Sequence, residues 1–117
     1  INIGSTAGKD AYPNGNVYCG TKFAVDAITK SMRIDLLPHK IKVTAVNPGA
    51  AETEFSLVRF KGDAAKAKSV YQGFDPLQAE DIAEIVWFAA SRPPHVVLND
   101  IVVTPLAQAS SVFIHRS

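Results

Sequence analysis

Ser5, Tyr18 and Lys22 are the residues of this chain whose types and spacing suit chemistry on a carbon–oxygen bond. A hydroxyl can hold a carbonyl oxygen and a phenol can give or take its proton. An ammonium four residues on, one helical turn away on the same face, stabilises phenolate. A free phenol titrates near pH 10, so without such help it is a poor base and only an adequate acid at neutral pH. The plainer reading makes Tyr18 an amphipathic residue at a helix start, Lys22 its solvated neighbour and Ser5 a loop hydroxyl. The spacing arises by chance often enough that the surrounding residues must decide.

The elements that would position these residues alternate between strand and helix. Ile1 to Ile3 reads as the end of a buried strand, and Gly4 to Asn16 as a loop punctuated by Gly8, Pro13, Asn14 and Gly15. A helix is expected from about Val17 to Leu37, with Val25, Ile28, Met32 and Leu36 at helical spacing and Pro38 as its stop. Ile41 to Val46 is rich in β-branched residues and reads as a strand, turned at its end by Asn47-Pro48-Gly49. From Ala50 to Gly73 the pattern is irregular and polar, a lid with a short helix around Asp63 to Tyr71. A second firm helix covers about Ala79 to Ser91, with Glu80 and Asp81 in its first turn and Pro93 and Pro94 beyond its end. Val96 to Val103 has strand character with a break at Asn99-Asp100, and Pro105 to Ser117 carries no strong local signal.

This order implies parallel β-α-β crossovers and a layered α/β sheet. Parallel sheets need both faces covered, which three strands and two main helices cannot do alone. The chain is therefore expected to be part of a larger domain, and its opening inside a strand-like segment agrees.

The 117 residues carry a net charge of +1 with dispersed Lys and Arg, which gives no reason to invoke nucleic acid or an acidic membrane surface. No apolar stretch approaches membrane-spanning length and no secretory signal is evident, so a soluble protein is expected. Cys19 is the only cysteine, which excludes an internal disulfide and suits a reducing, cytoplasmic setting; its expected role is packing. His39, His95 and His115 are scattered, and no metal site is expected.

The strings around the three chemical residues are more specific. Ile1-Asn2-Ile3-Gly4-Ser5-Thr6-Ala7-Gly8, then Tyr18-Cys19-Gly20-Thr21-Lys22-Phe23-Ala24, then Asn47-Pro48-Gly49 followed by Thr53, resemble in order and spacing three blocks of a classical short-chain dehydrogenase/reductase. Ala11 to Asn16, Thr53 to Ser56 and Val58-Arg59-Phe60-Lys61-Gly62-Asp63 resemble a narrower branch, the NADP-dependent 3-hydroxy acid dehydrogenases that also oxidise serine and allo-threonine. The resemblance covers nearly the whole chain. It implies a partial Rossmann-like doubly wound parallel sheet, residues 1–117 being the C-terminal catalytic and substrate-binding half of one dinucleotide-binding domain.

The same resemblance implies roles. Tyr18 removes the alcohol proton as hydride leaves the same carbon, Ser5 holds the substrate oxygen, and Lys22 both acidifies the phenol and binds the nicotinamide ribose. Pro48, Gly49, backbone at Ala51 and the Thr53 hydroxyl contact the nicotinamide, with glycine allowing close approach to a flat ring; Pro-Gly alone would read as an ordinary turn. Ala51 departs from the larger β-branched residue usual there, which bears on packing more than on a backbone contact. The family's proton-relay asparagine belongs to the N-terminal half, so Asn47 is not given that role. Arg59 in the lid is a candidate for a substrate carboxylate, beside the reading of an ordinary surface arginine.

No Gly-x-Gly-x-x-Gly turn or ribose selector is present, so NADP is implied only by the narrower resemblance and NAD is not excluded. The expected partner is a small-molecule substrate, and relatives imply a homo-oligomer, commonly a tetramer. Two other readings compete. Nucleotide-sugar epimerases and dehydratases share Tyr-x-x-x-Lys but fit the spacing to Asn47-Pro48-Gly49 poorly. A non-catalytic fragment or subunit would account for the missing phosphate cradle.

Overall fold

The computed structural model describes residues Ile1 to Ser117. Strand β1 (Asn2–Ile3) leads through a 3-10 turn at Thr6–Gly8 to helix α1 (Asn16–Asp35). A second 3-10 turn, Leu37–His39, precedes β2 (Ala45–Pro48). Two short helices, α2 (Phe55–Arg59) and α3 (Ala64–Ser69), then α4 (Ala79–Ala90) and β3 (Asp100–Val103) complete the order. The three strands form one parallel sheet in the order β1-β2-β3, with Asn2 opposite Ala45 and Ala45 opposite Asp100. This is the partial doubly wound architecture the alternating pattern implies.

Where α1 ends is set by Pro38. Proline has no N–H to donate to Ile34 O, so the α ladder stops and the chain tightens into the 3-10 turn two residues short of the expected boundary. Polar side chains tie α1 to the sheet. Asn2 Nδ2 donates to the buried Thr29 hydroxyl at 2.9 Å, and the Arg33 guanidinium donates to Val43 O at 3.2 Å and Asn99 O at 2.7 Å.

Two strands are shorter than their β-branched runs. Pairing of β2 begins where Asn2 N donates to Thr44 O at 2.8 Å and Ala45 N donates to Asn99 O at 3.0 Å, so Ile41 to Val43 have no ladder partner. Val96 is drawn into a turn by its bond to Pro93 O at 2.9 Å, and only Asp100 to Val103 join the sheet. The centre of the core is β2, where Ala45, Val46 and Asn47 are buried, and α4 packs on this strand. Asn47 is structural: its amide donates to Asp100 Oδ1 at 2.7 Å and Ile101 O at 3.2 Å, joining β2 to β3.

The irregular stretch after β2 is a closed excursion. Glu52 N donates to Leu77 O at 2.8 Å and Leu77 N to Ala50 O at 3.0 Å, which pins its two ends together. Within it α3 matches the expected short helix and starts at Asp63, whose side chain accepts from Lys66 N at 3.0 Å. The α2 turn was not expected; it follows Thr53, whose hydroxyl accepts from Phe55 N at 3.2 Å. The tail is also ordered. Ala109 N donates to Phe113 O and His115 N to Ala107 O, both at 2.9 Å.

The chain is more extended than a self-contained domain of its length. Its radius of gyration is 15.5 Å, against about 13 Å for a compact chain of this size. Its accessible surface is 7699 Å², against about 6,200 Å² expected for the mass. The excess is apolar in part: Ile1, Ile3 and Ile28 border an open groove between β1 and α1, and Trp87 and Phe88 stand exposed on α4. No helix is long and apolar enough to cross a membrane.

Candidate functional site

One cavity of about 410 Å³ lies at the C-terminal ends of β1 and β2 and is lined by Ser5, Tyr18, Lys22, Pro48, Gly49, Ala51, Thr53 and Arg59. Every residue singled out from the sequence thus meets at one place. The volume suits a small substrate beside one ring of a cofactor.

Ser5 caps the 3-10 turn, its Oγ accepting from Ala7 N at 3.0 Å. That bond uses a lone pair and leaves the hydroxyl proton free to donate toward a substrate oxygen. Tyr18 stands in the first turn of α1, half-buried, with its ring 5.5 Å from the Phe55 ring at a 46° tilt. Lys22 follows one turn later, its Nζ 5.8 Å from the Tyr18 ring centroid and within 3.4 Å of Ile3 O. The Ser5 loop is pressed onto α1 at Gly8, where an added Cβ would sit 2.7 Å from the Lys22 carbonyl oxygen. The hydroxyl and the ammonium are therefore held by one backbone-to-backbone contact, which only glycine permits.

A salt-bridge cluster fixes the same loop from behind. Lys9 Nζ reaches Asp26 at 2.6 Å on α1 and Asp100 at 2.7 Å on β3, and Lys30 takes the other Asp26 oxygen at 2.6 Å. The Lys30 and Lys9 hydrogen bonds hold the Asp26 carboxyl below its ordinary value of 3.8. Burial opposes the Lys9 charge, yet bonds to Asp100 and Asp26 outweigh it and raise its pKa above 10.5.

The turn after β2 forms another wall, with a second reason for its glycine. A Cβ on Gly49 would lie 2.2 Å from Gln108 Oε1, so the tail packed against the turn also requires a side-chain-free position there. Gln108 is buried; its Oε1 accepts from Ala50 N at 2.8 Å and its amide donates to Ser110 O at 3.0 Å, which holds the turn rigid. Thr53, having accepted from Phe55 N, retains a hydroxyl proton to donate into the cavity.

Other lining residues were not singled out from the sequence as site residues. Tyr12 is half-buried in the loop before α1, and burial pushes its phenol above the ordinary 10, opposed by the Arg59 guanidinium beside it. None of the chain's ion pairs engages Arg59, so its charge is available to a ligand. Ser56 and Tyr71 line the lid side, and the Ser111 hydroxyl is buried without a partner. Tyr12 and Phe55 lie within strings of the narrower resemblance, but Tyr71, Gln108 and Ser111 do not.

The cavity fits the reactive end of a dinucleotide: backbone at Pro48 to Ala51, the Thr53 hydroxyl and the Lys22 ammonium border one space with Ser5 and Tyr18. A Gly-rich pyrophosphate turn is not among these residues.

The chain is similar to known proteins. The chain is 43% identical over 116 residues to the NADP-dependent 3-hydroxy acid dehydrogenase of Schizosaccharomyces pombe, covering 99% of this chain and 45% of that protein. It is 45% identical over 113 residues to sulfoacetaldehyde reductase 2 of Chromohalobacter salexigens, covering 97% of this chain and 45% of that protein. It superposes with a TM-score of 0.92 on the closed form of a serine dehydrogenase complexed with NADP+, 43% identical, over 100% of this chain and 48% of the other. The chain thus spans about half the length of the curated relatives it matches. Residues 1–63, which carry Ser5, Tyr18, Lys22 and the turn after β2, match the model of the short chain dehydrogenases, and the chain belongs to that family.

Proposed function

We propose that residues 1–117 are the C-terminal half of a single dinucleotide-binding domain in an NADP-dependent oxidoreductase. It transfers hydride between NADP and the hydroxyl-bearing carbon of a small hydroxy acid such as a 3-hydroxy acid, serine or allo-threonine. The observation that carries this reading is that Ser5, Tyr18 and Lys22 border one cavity, with the Ser5 proton unspent. The names of the relatives and the NADP+ of the serine dehydrogenase structure support the cofactor and the substrate class.

In the oxidising direction the alcohol loses a proton from oxygen and a hydride from carbon, and a carbonyl remains. Ser5 donates a hydrogen bond to that oxygen, which strengthens as carbonyl character develops. Tyr18 takes the proton from the same oxygen, with the Lys22 ammonium one turn away beside its ring. Nicotinamide supplies the hydride acceptor, or the donor in reverse. When the cofactor is bound, Lys22 would hold the ribose, and Pro48, Gly49, Ala51 and Thr53 would seat the ring at the turn that Gln108 stiffens. Arg59 pairs with the substrate's acid group through its two-pronged donor face. A sulfonate presents similar oxygens, and the likeness to a sulfoacetaldehyde reductase favours it as a second class of substrate.

We place the complete enzyme in the cytoplasm as a homotetramer. The lone buried Cys19 supports the compartment, and exposed Ile28, Ile34, Trp87 and Phe88 on the long helices support association. Cofactor reduction by the full-length protein tests the proposal against 3-hydroxy acids, serine, allo-threonine and 2-hydroxyethanesulfonate. NADP-dependent turnover of at least one acid is expected, and no turnover of any would overturn it. The encoded sequence upstream of Ile1 should contain a strand followed by a Gly-rich phosphate turn.

A further inference from the structure

Within the lid, helix α2 is tied to the stem by a directed chain of hydrogen bonds. Tyr71 OH donates to Ala51 O at 3.0 Å, and Ser56 Oγ lies 2.7 Å from the same phenol. A phenol has one proton and a carbonyl oxygen can only accept. The proton of Tyr71 therefore goes to Ala51, and Ser56 must donate to Tyr71. Both links stand at the cavity wall, and Ser56 is 4% exposed.

The two ends of this chain belong to different bodies. Ala51 is part of the stem paired with Leu77. Tyr71 is flanked by two carbonyls held by the tail, Val70 O at 3.0 Å from Arg116 Nη2 and Gln72 O at 2.6 Å from Arg116 Nη1. Tyr71 is thus a fixed post. Ser56 belongs to α2, the helix that also carries Phe55 against the Tyr18 ring and Arg59 three residues on.

We propose that Tyr71 is a positioning residue: through Ser56 it latches α2 in the closed position and so sets where Arg59 meets the substrate's acid group. The proposal rests on the hydroxy-acid reading for its substrate, but the latch itself is a property of this chain's own residues. Moving α2 away from the cavity requires breaking the Ser56 link. Ser56 is nearly sealed from solvent, so its hydroxyl regains water only once α2 has moved, and breaking the link carries the cost of a buried donor left unpaired.

The test uses full-length Tyr71→Phe, Ser56→Ala and the double variant. Steady-state kinetics on a 3-hydroxy acid are combined with amide hydrogen exchange of residues 55–59. Tyr71→Phe removes the bonds to both Ala51 and Ser56, and loss of the Ser56 link to α2 should raise KM for the acid about fivefold, with a smaller change in kcat. Exchange in α2 should accelerate by a similar factor. Ser56→Ala should match it, and the double variant should be no worse than Tyr71→Phe, since all three cut the same link. Wild-type KM and exchange in both single variants would overturn the latch, as would effects that simply add or a lowered melting temperature alone. A wild-type enzyme inert toward every acid would sink the substrate reading, and hydrogen exchange would still decide the latch.

Discussion

In the proposed reaction Tyr18 and Ser5 divide the work on one oxygen, and the hydrogen bond that Ser5 makes leaves it able to donate. Ser5 spends one lone pair on Ala7 N and keeps its proton. Replacing Tyr18 by Phe keeps the ring on Phe55 and removes only the proton-transfer hydroxyl. Turnover of the full-length enzyme should fall by at least about 10²-fold while cofactor affinity changes little. Lys22→Ala should damage both if, as proposed, one ammonium serves phenol and ribose; kcat and the NADP dissociation constant together check this. Retention of most activity by Tyr18→Phe would remove Tyr18 from the role. Arg59 makes no ion pair in the chain, so Arg59→Ala should raise KM for hydroxy acids about tenfold or more and leave uncharged alcohols nearly unaffected. Equal effects on both classes would reduce Arg59 to a surface arginine.

The elements carry the precision that the residues need. The loop bearing Ser5 and the helix bearing Tyr18 and Lys22 touch through Gly8, and the obstacle to a side chain there is backbone that cannot rotate away. Gly8→Ala should therefore cost about 1–3 kcal/mol of stability and lower kcat more than KM. Denaturant unfolding together with kinetics would show both effects, and a neutral Gly8→Ala would mean that this contact does not set the geometry. The Lys9 cluster holds the same loop and has a pH signature. Asp26 has its folded pKa below the unfolded value near 3.8, so its contribution is full above that value and is lost as pH falls through the folded pKa. Lys9, raised above 10.5, contributes below that pH and loses the contribution in stronger base. Lys9→Met should cost about 1 kcal/mol at neutral pH and flatten the stability profile at both extremes. An unchanged profile would show that the cluster adds nothing.

At the scale of the molecule, the extended shape and open sheet edges set what these residues can do alone. A surface of 7699 Å² with Ile1, Ile3, Ile28 and Trp87 exposed should make residues 1–117 poorly stable as an isolated monomer and prone to association. Dinucleotide binding should be weak as well, since the Gly-rich backbone and helix N-terminus that hold a pyrophosphate are not among these residues. Titration with NADPH followed by fluorescence would check this, and saturable low-micromolar binding by a soluble monomer would refute it. How much was legible in advance follows the range of each interaction. The helices α1 and α4, the turn at Asn47-Pro48-Gly49 and the facing of Tyr18 and Lys22 were legible because periodicity, proline stops and one-turn spacing act within a few residues. Strand limits were not, because β2 begins where a ladder partner exists, whatever its β-branched run. Only the tertiary structure decided that Gln108 occupies the space a side chain at Gly49 would need, that Tyr12 lies beside Arg59, and that Tyr71 joins Ser56 to Ala51. Each of these is a contact between segments remote along the chain, made by single polar groups whose partners no local pattern encodes.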